Sequence, residues 1–344
     1  MSAEDSPRHS IEHAAPWPLA PPRLRLAHLP TPIEPLPPLS GWPAGPRVDL
    51  KRDDLTGVAL SGNKIRKLEF VLADAREQGA DCLVTCGGAQ SNHARATSVS
   101  AARLGLGCQL LLAGTPETPP RGNLLLDRLL GAEVRWLTPA QYEQRDLELQ
   151  RAAERLEAAG QRPYVIPEGA SNEVGAWGYI AMLAELVAQH PSRPWTHIVC
   201  ATGSGGTHAG LLIGSRLLQW DVRVRSYLVQ RTRDYFVDQV LRITEAFAAR
   251  YEVPLEFARE EIDIVAGFEG PAYAEPYDEE IALIRAAARE GGLLFDPVYT
   301  GKALTGLRAE IAARRFAPDD RILFVHTGGI FGLLAQGERF LTRA

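Results

Sequence analysis

A lysine directly after the tripeptide Ser-Gly-Asn is the residue of this sequence best placed to do chemistry. Lys64 follows residues 61–63, and apolar residues at helical spacing begin at Ile65. A lysine at the first turn of a helix is either an ordinary solvated charge or an amine that reacts with a carbonyl carbon. Lys67, three residues later, is expected to be the solvated charge, which leaves Lys64 for a chemical role.

A glycine-rich loop follows the apolar run HIVCA and precedes a predicted helix. Glycines let consecutive backbone N–H groups converge on an anion, and the start of the helix adds its dipole. The loop lacks the Lys-Ser/Thr pair of a P-loop and the third glycine of a dinucleotide fingerprint. It predicts a phosphate site, the alternative being a glycine turn without a ligand. The residues of this site are Gly203, Ser204, Gly205, Gly206 and Thr207.

Two further predicted strand ends carry polar side chains. Gln90, Ser91, Asn92 and His93 follow a Gly-Gly pair at a predicted helix start. Beside the free N–H groups of a helix N-terminus they suit a carboxylate and a neighbouring oxygen, although Ser91 or Asn92 could serve only as the helix cap. Thr327 precedes two glycines after the last apolar run, a weaker signal that an ordinary strand-to-helix turn would also explain.

Together these features supply what pyridoxal 5'-phosphate needs. That cofactor requires an amine for a Schiff base, an anchor for its phosphate, a partner for its ring nitrogen and a pocket for the carboxylate of an amino acid. Lys64, residues 203–207, Thr327 and residues 90–93 match these four tasks. The sequence therefore predicts an enzyme that binds pyridoxal phosphate and acts on a small amino acid.

The elements that must position these residues alternate between apolar runs bounded by glycine and amphipathic helical segments. This alternation predicts an α/β fold with mostly parallel strands, whose carboxyl ends hold the ligand. One long helix is expected over residues 139–159, with two helices before the last strand, and Ser61 is the expected cap of the helix that carries Lys64. Residues 170–178, rich in glycine, are the predicted point where the chain changes sheets.

Composition excludes several classes of protein. A net charge of -5 gives no basic surface for nucleic acid, and no apolar run approaches the about 18 residues that cross a membrane. Residues 1–20 lack the apolar core of a signal peptide, so we expect a flexible N-terminus and a cytoplasmic protein. The cysteines complete no zinc pattern, so buried free thiols and no metal site are expected at Cys82, Cys86, Cys108 and Cys200.

Five motifs in order resemble a known enzyme family: KRDDLTGVALSGNKIRKLEF, GGAQSNHAR, TGSGGTHAG, FDPVYTGKALTGL and FVHTGGIFGL. They are similar to the pyridoxal-phosphate family of D-cysteine desulfhydrase and 1-aminocyclopropane-1-carboxylate deaminase, within the tryptophan synthase β-like fold (fold type II). The resemblance implies two open, twisted, mostly parallel sheets flanked by helices, with the cofactor between two domains. It also implies a homodimer, with residues 1–66 and 178–344 as the large domain and 67–177 as the small domain.

The resemblance further implies individual roles. Lys64 matches the lysine that is linked to the cofactor, Asn92 the partner of the ring hydroxyl and Ser91 the contact to the substrate carboxylate. Residues 203–207 match the phosphate loop. The two active-site tyrosines of the family correspond to Tyr299, stacked near the ring, and Tyr273. The other residues expected to contact cofactor or substrate are Gln90, His93, Thr300 and Thr327.

Two threonines favour the desulfhydrase branch of this family. In the deaminases, the residue after the stacked tyrosine is typically glutamate and the residue before the final Gly-Gly is typically leucine, whereas this chain has Thr300 and Thr327. A hydroxyl at the ring nitrogen stabilises a pyridinium less than a carboxylate does, which suits β-elimination better than cyclopropane ring opening. His93 also follows the desulfhydrase pattern, while Phe331 departs from it by placing a large side chain in the last turn.

The expected activity is therefore that of a carbon–sulfur lyase that converts D-cysteine, or a close β-substituted alanine, to pyruvate, ammonia and sulfide. The alternatives within the family are a 1-aminocyclopropane-1-carboxylate deaminase and an L-cysteate sulfo-lyase, for which additional cationic groups around the sulfonate are expected. A pyridoxal-phosphate-binding protein without catalysis is the alternative from another class.

Overall fold

The computed structural model describes residues 11–13, 20–116 and 118–341, and these form an α/β structure with two main sheets. Ile11–His13 (β1) pairs antiparallel with Pro22–Leu24 (β2), so this part of the predicted flexible segment is paired with the rest of the chain. The other parts of that segment, residues 1–10 and 14–19, lie outside the described residues.

Six strands form the larger sheet. From one edge to the other they are Asp263–Val265 (β11), Arg223–Leu228 (β10), His197–Thr202 (β9), Arg321–Val325 (β12), Arg47–Lys51 (β4) and Ile33–Pro35 (β3). Every neighbouring pair is parallel except β3 with β4. The central strands are buried on both faces, as expected for parallel strands covered by helices.

Four strands form the smaller sheet, and all of its pairs are parallel. In order across the sheet they are Glu133–Leu137 (β7), Gly107–Ala113 (β6), Cys82–Gly88 (β5) and Pro163–Val165 (β8). The prediction of an α/β fold with mostly parallel strands is therefore confirmed.

The α-helices alternate with these strands along the chain. In chain order they are Lys64–Glu77 (α1), Asn92–Leu104 (α2), Gly122–Leu129 (α3), Pro139–Glu143 (α4), Arg145–Ala158 (α5), Glu173–Gln189 (α6), Gly206–Leu217 (α7), Arg233–Arg250 (α8), Asp278–Gly291 (α9), Thr300–Ala312 (α10) and Ile330–Ala335 (α11).

Three local predictions were wrong. The single helix over residues 139–159 is two helices, because Gln144 between α4 and α5 has a non-helical backbone with φ of -103° and ψ of 30°. Ser61 does not cap α1, since its Oγ donates instead to the backbone oxygen of Asp54 at 2.8 Å. Between β10 and β12 the chain forms α8, α9 and α10 as well as β11, a strand of three residues that is too short to produce a readable pattern.

The glycine-rich stretch over residues 170–178 serves helix packing. The chain passes from the smaller to the larger sheet here, as predicted, since β8 and β9 flank α6, and α6 begins within the stretch, at Glu173. A Cβ at Gly178 would lie 2.6 Å from the carbonyl carbon of Arg66 in α1, and one at Gly210 of α7 would lie 2.5 Å from the carbonyl oxygen of Ala176. Small residues therefore let α1, α6 and α7 approach closely.

A buried network of charged side chains fixes the start of α1. Arg66 donates to both carboxylate oxygens of Asp53, at 2.8 and 2.7 Å, and to Oε2 of Glu185 in α6 at 2.9 Å. Lys51 at the end of β4 donates to Oε1 of Glu185 at 2.5 Å. Asp53 is 0% exposed and Arg66 2% exposed. Because Arg66 lies two residues after Lys64, the network anchors the turn that carries this lysine to both β4 and α6.

Within the described residues, no helix is long and apolar enough to cross a membrane. All four cysteines are free thiols; Cys82, Cys86 and Cys200 are buried and Cys108 is half-buried. No group of three or more His, Cys, Asp or Glu side chains in the described part of the chain is arranged to hold a metal ion.

Replacing Asp53 by asparagine should lower the free energy of unfolding by about 3 kcal/mol, because Arg66 would lose the fully buried one of its two carboxylate partners and keep only Glu185. The neighbouring Asp54 provides a matched control: it pairs with Arg52 at 2.7 Å and its side chain is 17% exposed. Asp54→Asn should cost about 1 kcal/mol or less. Denaturant unfolding followed by circular dichroism measures both variants, and equal losses would contradict the role of the buried network.

Candidate active site

A cavity lies where the carboxyl ends of strands from both sheets meet the start of α1, the place where open α/β sheets bind ligands. The structure brings most of the predicted site residues together there. Those that line the cavity are Lys64, Ser91, Asn92, His93, Gly203, Ser204, Gly205, Thr207, Tyr273, Tyr299 and Thr327.

Lys64 is the first residue of α1, and its amine is held at the cavity. Nζ donates to Oδ1 of Asn63 at 2.9 Å and lies 5.7 Å from the centre of the Tyr299 ring. Burial lowers the pKa of Lys64 from 10.5 to about 8, although the carboxylates of Asp296 and Glu168 act in the opposite direction. The lowered pKa increases the fraction of free base near neutral pH, and the free base is the form of the amine that attacks a carbonyl carbon.

Asn63 joins three segments of the cavity wall. Its backbone N–H donates to the carbonyl oxygen of Thr327 at 3.1 Å, its Nδ2 donates to Oγ1 of Thr207 at 3.2 Å, and its Oδ1 accepts from Lys64. Gly62 before it has a φ of +108°, and a Cβ there would lie 2.7 Å from the carbonyl oxygen of Thr327. The Gly-Asn-Lys sequence is thus explained by the close packing of this turn against the end of β12.

The glycine loop after β9 has the donors of a phosphate site. Gly205 precedes α7 with a φ of +82°, a conformation that favours glycine. Ser171 Oγ donates to Ser204 Oγ at 2.8 Å. A Cβ at Gly206 would lie 2.6 Å from Ser171 Oγ and 2.9 Å from Nζ of Lys67. Hydroxyl groups, the amine of Lys67 and the free N–H groups of a helix start therefore lie close together.

Lys67 is not the solvated charge that the sequence predicted. Its side chain is fully buried, and Nζ donates to the carbonyl oxygen of Gly169 at 3.1 Å and to Oγ of Ser171 at 3.3 Å. Burial lowers the pKa of Lys67 well below 10.5, and the charge of Lys64 lowers it further. Residues three apart share one face of a helix, so the turn that brings Lys64 to the cavity also brings Lys67 to the phosphate-type donors.

Gly206, Gln90 and Thr300 are the predicted site residues that do not line the cavity. The side chain of Gln90 turns toward the start of α3, where its Oε1 accepts from the backbone N–H of Asn123 at 2.9 Å. Thr300 is fully buried, and its Oγ1 donates to Oδ1 of Asp296 at 2.6 Å. The expected substrate contacts of Gln90 and Thr300 therefore differ from their observed partners, which stabilise the backbone behind the site.

Ser91 and His93, at the start of α2, have different hydrogen-bond partners. Ser91 Oγ accepts from the backbone N–H three residues on at 3.2 Å, so Ser91 caps α2 and keeps its hydroxyl hydrogen for another partner. His93 Nε2 lies 2.8 Å from Oγ1 of Thr85, which itself donates to a backbone carbonyl. Burial lowers the pKa of His93 well below 6.5, so the imidazole is neutral at physiological pH.

The two predicted tyrosines line the cavity and contact each other. The hydroxyl oxygens of Tyr273 and Tyr299 lie 2.6 Å apart, and burial raises the pKa of both above 10, so both are protonated at neutral pH. Asp296 Oδ2 accepts from the backbone N–H of Tyr299 at 2.9 Å. Lys302 Nζ donates to the carbonyl oxygen of Ala272 at 3.1 Å. Asp296 and Lys302 thus hold the backbone on which the tyrosines stand.

Sequence reasoning missed residues whose roles depend on tertiary contacts. Glu168 lines the cavity, forms an ion pair with Arg145 at 2.9 Å and accepts from the hydroxyl of Tyr142 at 2.9 Å. The sequence around Glu168 contains no motif that predicts these contacts. Phe331, the large side chain of the last turn, does not line the cavity, and its ring packs on the guanidinium of Arg95 at 4.9 Å.

Comparison with known proteins identifies the class. The model of the family described as pyridoxal-phosphate dependent enzymes matches residues 24–328. The chain belongs to this family, and its cofactor is pyridoxal phosphate. The cavity fits that cofactor, because an amine of lowered pKa, the donor set of a phosphate site and a free hydroxyl at Thr327 lie together.

Three relatives place the chain more closely. A protein of Thermotoga maritima assigned as a candidate 1-aminocyclopropane-1-carboxylate deaminase is 42% identical over 321 residues, 93% of this chain and 100% of the relative. D-cysteine desulfhydrase of Salmonella paratyphi A is 41% identical over 320 residues, 91% of this chain and 96% of the relative. A crystal structure of an ACC deaminase homologue is 36% identical with a TM-score of 0.85, covering 93% of this chain and 95% of the other. The resemblance and the fold class expected from the five motifs are therefore confirmed.

The lowered pKa of Lys64 predicts how the cofactor-free protein takes up pyridoxal phosphate. Only the free-base amine forms the covalent bond, so the rate of bond formation should rise with pH and reach half its maximum near pH 8 instead of near 10.5. Absorbance after rapid mixing at a series of pH values measures this rate, with Lys64→Ala as the control that forms no bond. A midpoint near 10.5 would contradict the buried position of the amine.

Proposed function

We propose that this protein is a carbon–sulfur lyase that eliminates sulfide from D-cysteine or a close β-substituted alanine. The observation that carries the proposal is the neutral hydroxyl of Thr327 at the cavity, since no described residue forms a hydrogen bond with its Oγ1. The carboxylate of Asp296 does not line the cavity and already accepts from three backbone N–H groups and from the Thr300 hydroxyl. The identity with a protein named D-cysteine desulfhydrase supports the same conclusion.

The residues of the cavity suggest how the cofactor would be held. Lys64 would bond to it, and the start of α7 with Ser204, Thr207 and Lys67 would hold its phosphate. Thr327 would face the ring nitrogen. The remaining contacts proposed from the family motifs are Asn92 to the ring hydroxyl, Ser91 to the substrate carboxylate, and Tyr299 and Tyr273 beside the reacting carbons.

The side chains can carry the proton transfers that elimination requires. When bound, pyridoxal phosphate accepts electron density from the substrate Cα once its proton is removed. The amine of Lys64, with its lowered pKa, would take that proton. The hydroxyl pair of Tyr273 and Tyr299 would donate a proton to the departing sulfur. With one water consumed, D-cysteine yields pyruvate, ammonia and hydrogen sulfide.

A second candidate is ring opening of 1-aminocyclopropane-1-carboxylate, which the names of two of the relatives support. The neutral partner offered by Thr327 is the argument against it, because ring opening depends on a stronger electron sink. An L-cysteate sulfo-lyase is less well supported. Among the described residues that line the cavity, Lys64 is the only lysine or arginine, so cations dedicated to a sulfonate are lacking there.

The proposal includes the setting of the enzyme. We propose a cytoplasmic homodimer, as the resemblance to the family implies. We also propose a large domain of residues 1–66 and 178–344 and a small domain of residues 67–177. The strand content supports this division, because the four strands of the smaller sheet lie between residues 82 and 165.

A substrate panel tests the proposal. D-cysteine, L-cysteine, L-cysteate and 1-aminocyclopropane-1-carboxylate are each incubated with the holoenzyme, and sulfide, sulfite, pyruvate and 2-oxobutyrate are measured. We expect equal yields of sulfide and pyruvate from D-cysteine, at the highest rate of the panel, and none with Lys64→Ala. Faster release of 2-oxobutyrate from the cyclopropane substrate would establish the second candidate in place of the first.

Two variants of Thr327 test the observation that carries the proposal. Thr327→Leu removes the hydroxyl and should lower sulfide release from D-cysteine by roughly 2- to 10-fold, the value of one neutral hydrogen bond. Thr327→Ser keeps the hydroxyl and should retain most of the activity. Steady-state kinetics on both variants makes the comparison, and equal rates would show that the hydroxyl has no part in catalysis. Thr300→Glu is less informative, since the new carboxylate would be placed against Asp296.

A further inference from the structure

A line of three polar side chains runs from the protein interior to the cavity. Arg95 Nε donates to Oδ1 of Asn123 at 2.8 Å, and Nδ2 of Asn123 donates to Oδ1 of Asn92 at 3.1 Å. Arg95 and Asn123 are 0% exposed, whereas Asn92 lines the cavity. Arg95 and Asn92 both stand on α2, and Asn123 approaches them from the start of α3.

The hydrogen bonds determine the orientation of the side-chain amides of Asn123 and Asn92. A guanidinium group has only donors, so the atom of Asn123 that faces Arg95 must be its oxygen. Nδ2 of Asn123 then faces Asn92 and also donates to the backbone oxygen of Gln90 at 2.9 Å, a group that can only accept. Asn92 must therefore present its oxygen to Asn123. Its NH₂ group is left as the donor, and no described residue accepts from it.

Arg95 is held firmly enough to act as the fixed end of this line. Its Nη2 donates to the backbone oxygen of Ser61 at 2.7 Å, its Nη1 donates to the backbone oxygen of Ala59, and its plane packs on the ring of Phe331. Among the described residues its hydrogen-bond acceptors are all neutral oxygens. Burial lowers the pKa of Arg95 to about 10, so the guanidinium stays charged at physiological pH. The same side chain also ties α2 to the segment that precedes Lys64.

We propose that Arg95 and Asn123 are positioning residues that make Asn92 an obligatory hydrogen-bond donor to the ring oxygen of pyridoxal phosphate. The inference rests on the proposed function for the placement of the cofactor beside Lys64 and for the contact of Asn92 to its ring oxygen. In pyridoxal phosphate the ring oxygen is attached next to the carbon that bears the aldehyde, so it lies near the amine that bonds to that aldehyde. Asn92 lines the same cavity as Lys64, and its NH₂ group is the donor proposed for this oxygen. Because the donor cannot turn round, it stabilises the anionic form of the oxygen.

The variant Asn123→Asp tests this polarity. A carboxylate keeps the shape of the side chain and pairs with Arg95, but it can only accept, so the amide of Asn92 should rotate and present its oxygen to the cavity. The bound cofactor should then shift its absorption toward the form with a protonated ring oxygen. Its dissociation constant should rise about 10-fold or more, as expected when a hydrogen bond to a charged group is lost. Both quantities are measured without substrate, by spectroscopic titration.

Two further variants complete the experiment. Asn123→Ala releases the amide of Asn92 without reversing it and should give a smaller shift in the same direction; it also serves if Asn123→Asp does not fold. Asp81→Asn exchanges the same two groups in the opposite sense outside the cavity, where Asp81 Oδ1 accepts from the backbone N–H of Arg162, and should leave the spectrum unchanged. An unchanged spectrum in both Asn123 variants would overturn the proposal, and so would an effect confined to the KM for substrate. A wrong substrate assignment would not alter the spectra, so the two failures are distinguishable.

Discussion

Two lysine amines on one face of α1 impose the constraint on which the site depends. Lys64 and Lys67 lie three residues apart, and among the described residues neither is paired with a carboxylate. The start of α7, with its partial positive charge, lies against Lys67 at Gly206. Burying like charges together costs free energy unless an anion joins them. The phosphate of the cofactor would be such an anion.

The rest of the structure holds this face of α1 in place. Behind the lysines, the buried pair of Asp53 and Arg66 ties the helix to β4 and α6. In front, Asn63 joins the lysine turn to the ends of β9 and β12 through Thr207 and Thr327. The position of Lys64 therefore depends on side chains of other elements as well as on its own helix. Two asparagines of the cavity are oriented in opposite ways. Asn63 accepts from the amine of Lys64 through its Oδ1, whereas Oδ1 of Asn92 accepts from Asn123 and points away from the cavity.

The sequence predicted the parts of the site that depend on local pattern. A glycine loop between an apolar strand and a helix, and a lysine after Gly-Asn, are visible because each reflects a backbone requirement of nearby residues. Lys67 was wrongly predicted to be exposed to solvent, because a charged side chain usually is. Its spacing of three residues from Lys64 already placed both side chains on the same face of α1. Asp296 could not be found in this way. Its importance lies in the N–H groups that converge on it when α10 begins.

Residues adjacent to the cavity-lining residues in a motif were predicted less reliably than the cavity-lining residues themselves. Gln90 and Thr300 stand next to residues that line the cavity, yet their side chains bond to Asn123 and Asp296. In both cases the direction of the side chain is set by the helix start beside it, which sequence spacing does not specify. The glycines of residues 170–178 do mark where the chain passes from one sheet to the other, as predicted. Their packing role was not predicted, because close contact between α1, α6 and α7 is a tertiary requirement.

The central claim is that Lys64 bonds to the cofactor while Lys67 serves its phosphate, and borohydride reduction of the holoenzyme tests it most directly. Reduction makes the bond between lysine and cofactor permanent, and mass spectrometry of the digested protein locates the modified residue. Fragmentation across Arg66, which lies between the two lysines, tells them apart. One modified lysine per chain is expected, at Lys64. Modification at Lys67, or at a lysine outside α1, would contradict it.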